Sequence, residues 1–291
     1  MPHLFIFGLG SIGSTLARTA LAQGWTVAGT CRDPAKREAL RAEEIEAHLF
    51  DRDRPLADIE GLLGRATHLL IATPGDGRGD PVMEVHGPAI VKARHLSWIG
   101  ALSGASLYGD RGGGWASEDS AIVATNSKLK ARVKQELGWR ALWQRERLPV
   151  HLFRLGGVYG PGRSALDRIK AGAMERIEKP GHVFHWVHVD DVVQTLLASM
   201  ARPEPGRVYN VADDEAISVS ELVQLACETL GVEPPPPLPF DQAKLSPMAA
   251  IMFADNRRVS NARIKQELGV ALRYPHMRDG LRAIAAATVV K

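Results

Sequence analysis

Three glycines, Gly8-x-Gly10-x-x-Gly13, stand between the apolar run "LFIFG" (4–8) and the amphipathic stretch "STLARTALAQG" (14–24). A chain with this pattern is heavily constrained. The apolar run reads as a buried strand, the amphipathic stretch as a helix closed by Gly24, and the glycines must carry the backbone through the tight turn between them. Each glycine has its own task. One permits the turn, one lets the backbone approach a diphosphate, and one lets helix and strand pack closely. The helix start leaves amide hydrogens unpaired and places the positive end of the dipole beside them. The motif therefore implies a dinucleotide bound through Gly8, Gly10 and Gly13, with Ser11 and Ile12 between the last two.

The rest of the amino-terminal half repeats the same grammar. "TVAGT" (26–30), "IEAHLF" (45–50), "THLLIAT" (67–73), "HLSWIGAL" (95–102) and "PVHLFRLGGVYG" (149–160) read as further strands. "PAKREALRAE" (34–43) and a long segment at 125–145 read as helices. Strand alternating with helix predicts an α/β fold, a Rossmann-type doubly wound parallel sheet. The pattern becomes mixed near 160. We expect a dinucleotide-binding domain over 1–160, revisited at 186–212, and a smaller mixed α/β C-terminal substrate lobe over 161–291. Within that lobe 189–200 reads as a helix capped by Asp190, and 218–231 as a helix with Ser218 and Glu221 spaced as a capping box. "EPPPPLPF" (233–240) reads as a stiff linker or lobe-crossing loop.

The ends of the strands supply the rest of the nucleotide site. An acidic residue at the end of the second strand would bond the ribose 2′-hydroxyl and repel a 2′-phosphate. This chain has Thr30, Cys31 and Arg32 there, and a guanidinium pairs with phosphate in two-pronged fashion. NADP is preferred on that ground, against the alternative of a solvated surface Arg32 with Asp33 merely starting the next helix; NAD stays open because the Asp33 carboxylate could swing toward the ribose. Asp51 after the third strand is placed to accept from an adenine amino group, or is only a polar strand end. Thr73 and Pro74, closing the fourth strand, lie where the middle of the cofactor would pass.

Composition removes several classes. A formal charge of +3, with no basic block interleaved with aromatics, argues against nucleic acid. No apolar stretch approaches the roughly 20 residues of a membrane span, and the amino end lacks the basic start of a signal peptide. Cys31 and Cys227 lie far apart and outside any metal spacing, so we expect a reduced, cytoplasmic protein without metal.

Several later segments carry a family likeness: "SLYGD" (106–110), "FRLGGVYGPGRS" (153–164), "HWVHVDDVV" (185–193), "VYNVADDEAISVSEL" (208–222) and "RVSNARIKQELG" (258–269). Taken in this order with the glycine motif, they make the chain resemble the extended short-chain dehydrogenase/reductases, the NAD(P)-dependent epimerases and dehydratases, and in particular their atypical bacterial branch. The resemblance covers nearly the whole chain. It implies a relay in which tyrosine exchanges a proton with substrate, lysine four residues later lowers the tyrosine pKa and holds the ribose, and Ser or Thr orients the carbonyl. Carried onto this sequence, the tyrosine falls on Ala124, the hydroxyl residue on Gly104, and only Lys128 remains. Tyr108 is the best replacement donor, flanked by Ser103 and Ser106, against the alternative that it is a buried brace for its loop. His185 and His188 are weaker candidates, because a polar cluster at a helix start usually stabilises the turn. Tyr159, at the end of the sixth strand, and Arg163, just after it, are candidates to meet substrate, with Arg163 either facing an anionic group or standing in solvent as a tight-turn arginine. By the same analogy a homodimer through the 125–145 helix is open, with Trp139 and Trp143 facing either a partner or the core.

Two functions remain: an NAD(P)-binding oxidoreductase or epimerase-like enzyme acting on a small carbonyl, alcohol or sugar-type molecule, and a non-catalytic NAD(P) sensor with a degraded relay.

Overall fold

The computed structural model describes residues 1–76 and 78–289. In order the chain forms β1 (His3–Phe7), α1 (Ser11–Ala22), β2 (Thr26–Cys31), α2 (Pro34–Ala42), β3 (Glu46–Leu49), α3 (Ile59–Arg65), β4 (His68–Ile71), α4 (Pro81–Lys92) and β5 (Trp98–Gly104). A 3-10 turn (Ala105–Tyr108) leads to β6 (Trp115–Ala116), α5 (Ser127–Glu146), β7 (Val150–Leu155), β8 (Gly157–Tyr159), α6 (Ala165–Lys170), β9 (Arg176–Glu178) and β10 (Phe184–His188). The chain ends with α7 (Val189–Ala201), β11 (Val208–Val211), β12 (Ala216–Ile217), α8 (Val219–Leu230), β13 (Pro237–Pro239), α9 (Pro247–Ala254), β14 (Arg258–Val259), α10 (Ala262–Leu268) and α11 (Met277–Val289).

The chain divides into two units, each assembled from three segments. The first comprises 1–104, 124–154 and 193–209; the second comprises 105–123, 155–192 and 210–291. The expected domains thus shift. Residues 105–123 and 155–160 belong to the second unit, and the return to the first is 193–209 rather than 186–212.

The first unit is built on a seven-stranded sheet of order β11-β7-β5-β4-β1-β2-β3. The ladders joining β3, β2, β1, β4 and β5 are all parallel. β1 is buried along its whole length, as a central strand covered on both faces must be. Phe5, Phe7, Ile71, Ile99 and Trp139 share one core under α3, α4 and α5. Trp139 donates from Nε1 to Asp80 Oδ2 (2.6 Å), and Trp143 packs against that core. Both indoles therefore face inward, and α5 leaves Lys130, Lys134, Leu137 and Arg140 on its exposed side. β7 is tied to α5 by a buried ion pair, Arg154 Nη2 to Glu136 Oε1 at 2.6 Å.

The second unit holds a three-stranded sheet, β12-β10-β8, and two two-stranded ladders, β13-β9 and β14-β6. The segment expected as one sixth strand breaks at Gly156, and β8 pairs in parallel with β10 instead of continuing β7. The proline run does not simply bridge: Pro237–Pro239 pairs with Arg176–Glu178, an edge position where the missing amide costs nothing. Ser218 and Glu221 do form the capping box of α8. Asp190, by contrast, lies inside the first turn of α7; the acceptor for its amide is His188 Nδ1 at 3.2 Å. Among the described residues no helix is long and apolar enough to cross a membrane.

Candidate functional site

The glycine turn separates into three structural tasks. Gly8 has φ +101°, and its amide donates to Thr30 Oγ1 at 3.0 Å. A Cβ there would lie 2.9 Å from Thr73 Oγ1, so only glycine lets the turn seat against the end of β4. A Cβ on Gly13 would lie 2.3 Å from the Gly8 carbonyl oxygen, so this glycine sets how closely α1 approaches the turn. Gly10 differs from both. It has ordinary extended geometry (φ −77°, ψ −158°), is exposed, and a Cβ there would meet nothing within 4 Å. Around it the amides of Gly10, Ser11, Ile12 and Gly13 find no acceptor among the described residues. Leu9 is held by its amide bond to the Thr30 carbonyl (2.7 Å), and Ser14 Oγ donates back to the Leu9 carbonyl (2.9 Å). The result is a row of unpaired donors at a helix start, open to solvent at Gly10 and Ser11, which fits a diphosphate. Thr73 follows β4 beside this turn, and its carbonyl accepts from Gln135 Nε2 at 3.4 Å; Pro74 after it is exposed.

At the end of β2 the sequence left Asp33 two roles, and the structure gives it one. Its Oδ1 accepts from the amides of Ala35 (2.8 Å) and Lys36 (3.4 Å), capping α2. The exposed Arg32 guanidinium has no partner among the described residues; only its carbonyl is engaged, by Arg54 Nη2 at 3.1 Å. Thr30 is buried and spent on the glycine turn, and Cys31 is buried too, its thiol pushed up by burial against the pull of Lys36, Arg37 and Arg54. The strand end is therefore a basic corner. Asp51 anchors the next turn: Oδ2 accepts from Arg54 Nη2 (2.9 Å) and Oδ1 from the Asp53 amide (3.1 Å).

The expected relay is not assembled. α5 begins at Ser127 with Asn126 as its cap, accepting from the Leu129 amide at 2.9 Å. Ala124 lies ahead of that cap, so residues 124 and 128 do not sit one helical turn apart on a common face. Lys128 is exposed in the first unit. Tyr108, proposed from sequence as a donor, is corrected: it is 0% exposed and its hydroxyl donates to Asn210 Oδ1 at 2.6 Å. Asn210 in turn donates to the Ser260 carbonyl (3.1 Å), and its amide donates to Glu118 Oε1 (2.8 Å). Tyr108 is thus the brace of its loop. Ser106 closes the same turn, its carbonyl accepting from the Gly109 amide (3.2 Å). Ser103 sits half-buried near the end of β5, in the first unit.

Tyr159 is likewise corrected as a substrate contact. It is buried in the apolar cluster of Leu166, Leu222 and Leu281, edge-on to His188 at 5.2 Å, and Gly280 lies against its hydroxyl. Burial holds that hydroxyl far above the usual tyrosine range. Arg163 is exposed, its backbone closing a turn with Gly160. Asp191 accepts from the amides of Arg273 (2.6 Å) and Tyr274 (3.0 Å), a structural tie.

Of one buried pair, only His185 was a candidate from sequence. His185 Nδ1 lies 3.7 Å from Asp213 Oδ1, both side chains 1% exposed. Burial pushes Asp213 up to about 8, against the weaker pull of the backbone at Trp186 and Glu215, and pushes His185 down to about 4. Only "VADDEA" marked the aspartate, and nothing local distinguishes Asp213 from Asp214. No group of three or more metal-binding side chains occurs among the described residues.

No family model matches the chain. Protein YeeZ of Escherichia coli (strain K12) is 29% identical over 287 residues, covering 94% of this chain and 97% of its own. A functionally unknown conserved protein from Silicibacter pomeroyi DSS is 42% identical, with a TM-score of 0.90 over 99% of both chains. The dTDP-glucose 4,6-dehydratase of Bacillus anthracis in complex with NAD shares the fold at 15% identity, with a TM-score of 0.78 over 100% of this chain and 97% of that one.

Proposed function

From a chain that belongs to the extended short-chain dehydrogenase/reductase family of epimerases and dehydratases, we propose an NAD(P)-binding enzyme of the oxidoreductase or epimerase-like type, acting on a small carbonyl, alcohol or sugar-type molecule. The observation that carries this is the row of amides at Gly10–Gly13, which finds no acceptor among the described residues. A bound nicotinamide nucleotide would supply the hydride chemistry. The chain's own residues do the binding. The α1 amides hold the diphosphate, Gly10 leaves it room, and Thr30 and Thr73 keep the turn in place. NADP is the preferred form. The Arg32 guanidinium is uncommitted, Lys36 and Arg54 stand near the same strand end, and the one carboxylate that would favour a free 2′-hydroxyl is consumed as a helix cap. The neighbour from Bacillus anthracis binds NAD, which supports the nicotinamide class and leaves the phosphate preference to Arg32.

Proton exchange does not follow the family pattern, since Gly104 and Ala124 hold no donor and Tyr108 is sealed in its loop. A positioned proton donor is worth about 10²–10⁴ in rate, so turnover is expected to be slow by family standards. The same three residues support a second function, a nucleotide-sensing protein without turnover. Calorimetric titration with NADPH and NADH tests the binding. Offering a panel of carbonyls and alcohols to the loaded protein, and following the reduced-nicotinamide absorbance, then separates enzyme from sensor.

A further inference from the structure

The segment after β4, "TPGDGRGD" (73–80), carries three glycines in eight residues. Glycine loses more freedom on folding than any other residue, so such a segment keeps one shape only where something pins it. Its two ends are pinned by helices. The Thr73 carbonyl accepts from Gln135 Nε2 at 3.4 Å, and Asp80 caps α4 while accepting from Trp139 Nε1 at 2.6 Å. The middle folds on itself, the Asp76 amide donating to the Gly79 carbonyl at 3.2 Å. Charged side chains tie that middle to the rest of the first unit.

Arg52 donates from Nε to Asp76 Oδ2 at 2.6 Å and from Nη2 to Asp76 Oδ1 at 2.9 Å, while its Nη1 meets Glu84 in the first turn of α4. Every nitrogen of the guanidinium is thus engaged by a carboxylate of 76–84. Two-pronged pairing is the strong form of such a contact, and the Arg52 side chain is only 14% exposed. The fork holds the Asp76 carboxyl well below the usual carboxylate range, so the bridge stays charged near neutrality. A second tie, Arg78 Nη2 to Asp53 Oδ2 at 3.2 Å, is far more exposed and contributes less.

Strand order shows what the bridge crosses. β3 lies three places from β4, with β1 and β2 between them, a separation of about 14 Å at sheet spacing. All four strands are parallel, so Arg52 and Asp76 follow their strands at the same edge of the sheet and meet across the width of β1 and β2. At that edge the glycine turn leaves β1 and Arg32 leaves β2. The segment also begins against the turn, where Thr73 Oγ1 bars a Cβ from Gly8. A nucleotide with its diphosphate on the Gly10 and Ser11 amides and its ribose phosphate on Arg32 lays its adenosine half beside this strap.

We propose that Arg52 is a positioning residue for the nucleotide: by pinning 73–80 through Asp76 and Glu84, it sets the wall beside the adenosine half without touching a phosphate. This rests on the proposed nucleotide binding and adds to it a residue that acts on both coenzymes alike.

The test is calorimetric titration of Arg52→Gln, Asp76→Asn and the double variant with NADPH, NADH and adenosine 2′,5′-bisphosphate. Arg52→Gln is expected to weaken all three ligands by a common factor of about 10, the affinity equivalent of ordering one further residue on binding. Asp76→Asn should give a similar loss, and the double variant no more than the larger single one, because both break one bridge. Arg52→Lys keeps the charge with a single prong and should recover part of the loss. Affinities within about twofold of the wild type in both single variants, even at a lowered melting temperature, overturn the proposal, because the bridge then serves the fold alone. A loss confined to NADPH and the bisphosphate also overturns it, since Arg52 would then read phosphate. So do losses that multiply in the double variant. Should Arg52→Gln give no soluble protein, Asp76→Asn and Arg52→Lys still make the comparison. A wild type that binds neither coenzyme refutes the nucleotide site itself.

Discussion

Gly10→Leu separates binding from folding more cleanly than any other change in the nucleotide turn. At φ −77° and ψ −158° the backbone accepts any residue, and a side chain there starts in open space. The fold loses little: leucine is a poorer helix cap than glycine, by about 0.5–1 kcal/mol, which lowers the melting temperature by roughly 2–3 °C. The same side chain occupies the ground over the Ser11 and Ile12 amides. Two charge-assisted hydrogen bonds at about 1.5–3 kcal/mol each are then forfeited, so NADPH affinity falls by roughly 10²–10⁴-fold. Gly13→Ala is the contrast. Its methyl would lie 2.3 Å from the Gly8 oxygen, so backbone must move, at about 1–3 kcal/mol of overpacking, and binding and stability drop together. The assays are calorimetric titration and thermal melting on all three proteins. If Gly10→Leu melts like the parent and binds NADPH within about threefold of it, the open amides are not the phosphate site.

Four other outcomes are expected. Arg32→Ala should weaken NADPH by about 10–100-fold, the worth of a charged hydrogen bond to phosphate, while NADH changes less than twofold; equal losses would remove the case for NADP. Tyr108→Phe should cost about 1–2 kcal/mol of unfolding free energy by stranding the buried Asn210 Oδ1, with turnover unaltered; a collapse of turnover at unchanged stability would restore it as a donor. Rebuilding the family relay with Gly104→Ser and Ala124→Tyr should raise turnover less than about threefold, because residue 124 precedes the α5 cap; a rise near the 10² expected of a working donor would show that the loop carries it into place. Stability should fall as pH climbs from 6.5 to 8. Asp213 is raised from 3.8 to about 8, so its protonated form belongs to the folded chain and its contribution is lost as pH rises. His185, lowered from 6.5 to about 4, acts oppositely but only between those values. The remaining slope, at most about 1.4 kcal/mol per pH unit, should vanish in Asp213→Asn although Asp214, Glu215 and Arg258 stay; an unchanged slope would place the titrating group elsewhere.

The parts legible from sequence were those set by local chemistry. Apolar runs found β1, β2 and β4, because central parallel strands are buried on both faces. The glycine spacing found the turn, since Gly8 and Gly13 face hard steric limits. Where the chain reused a pattern for a distant partner, sequence was silent. "PVHLFRLGGVYG" is apolar throughout most of its length, and nothing in it shows that β8 leaves the sheet of β7 for β10. Asp33 and Tyr108 had two local roles each, and only the neighbouring amides and Asn210 decide between them. The His185–Asp213 pair lies across β10 and the approach to β12, a contact 28 residues apart in a sequence that gives no reason to join them.

The position of β11 carries a consequence for synthesis on the ribosome. β7 is buried along its length, and the strand that covers its outer side arrives only about fifty residues later, after an excursion into the second unit. At about 5–20 residues per second, a nascent chain holds that bare strand uncovered for several seconds, longer than most folding steps. A protein truncated after residue 154 would hold it uncovered for good, and is expected to form aggregates through that side rather than a tidy half-sized domain.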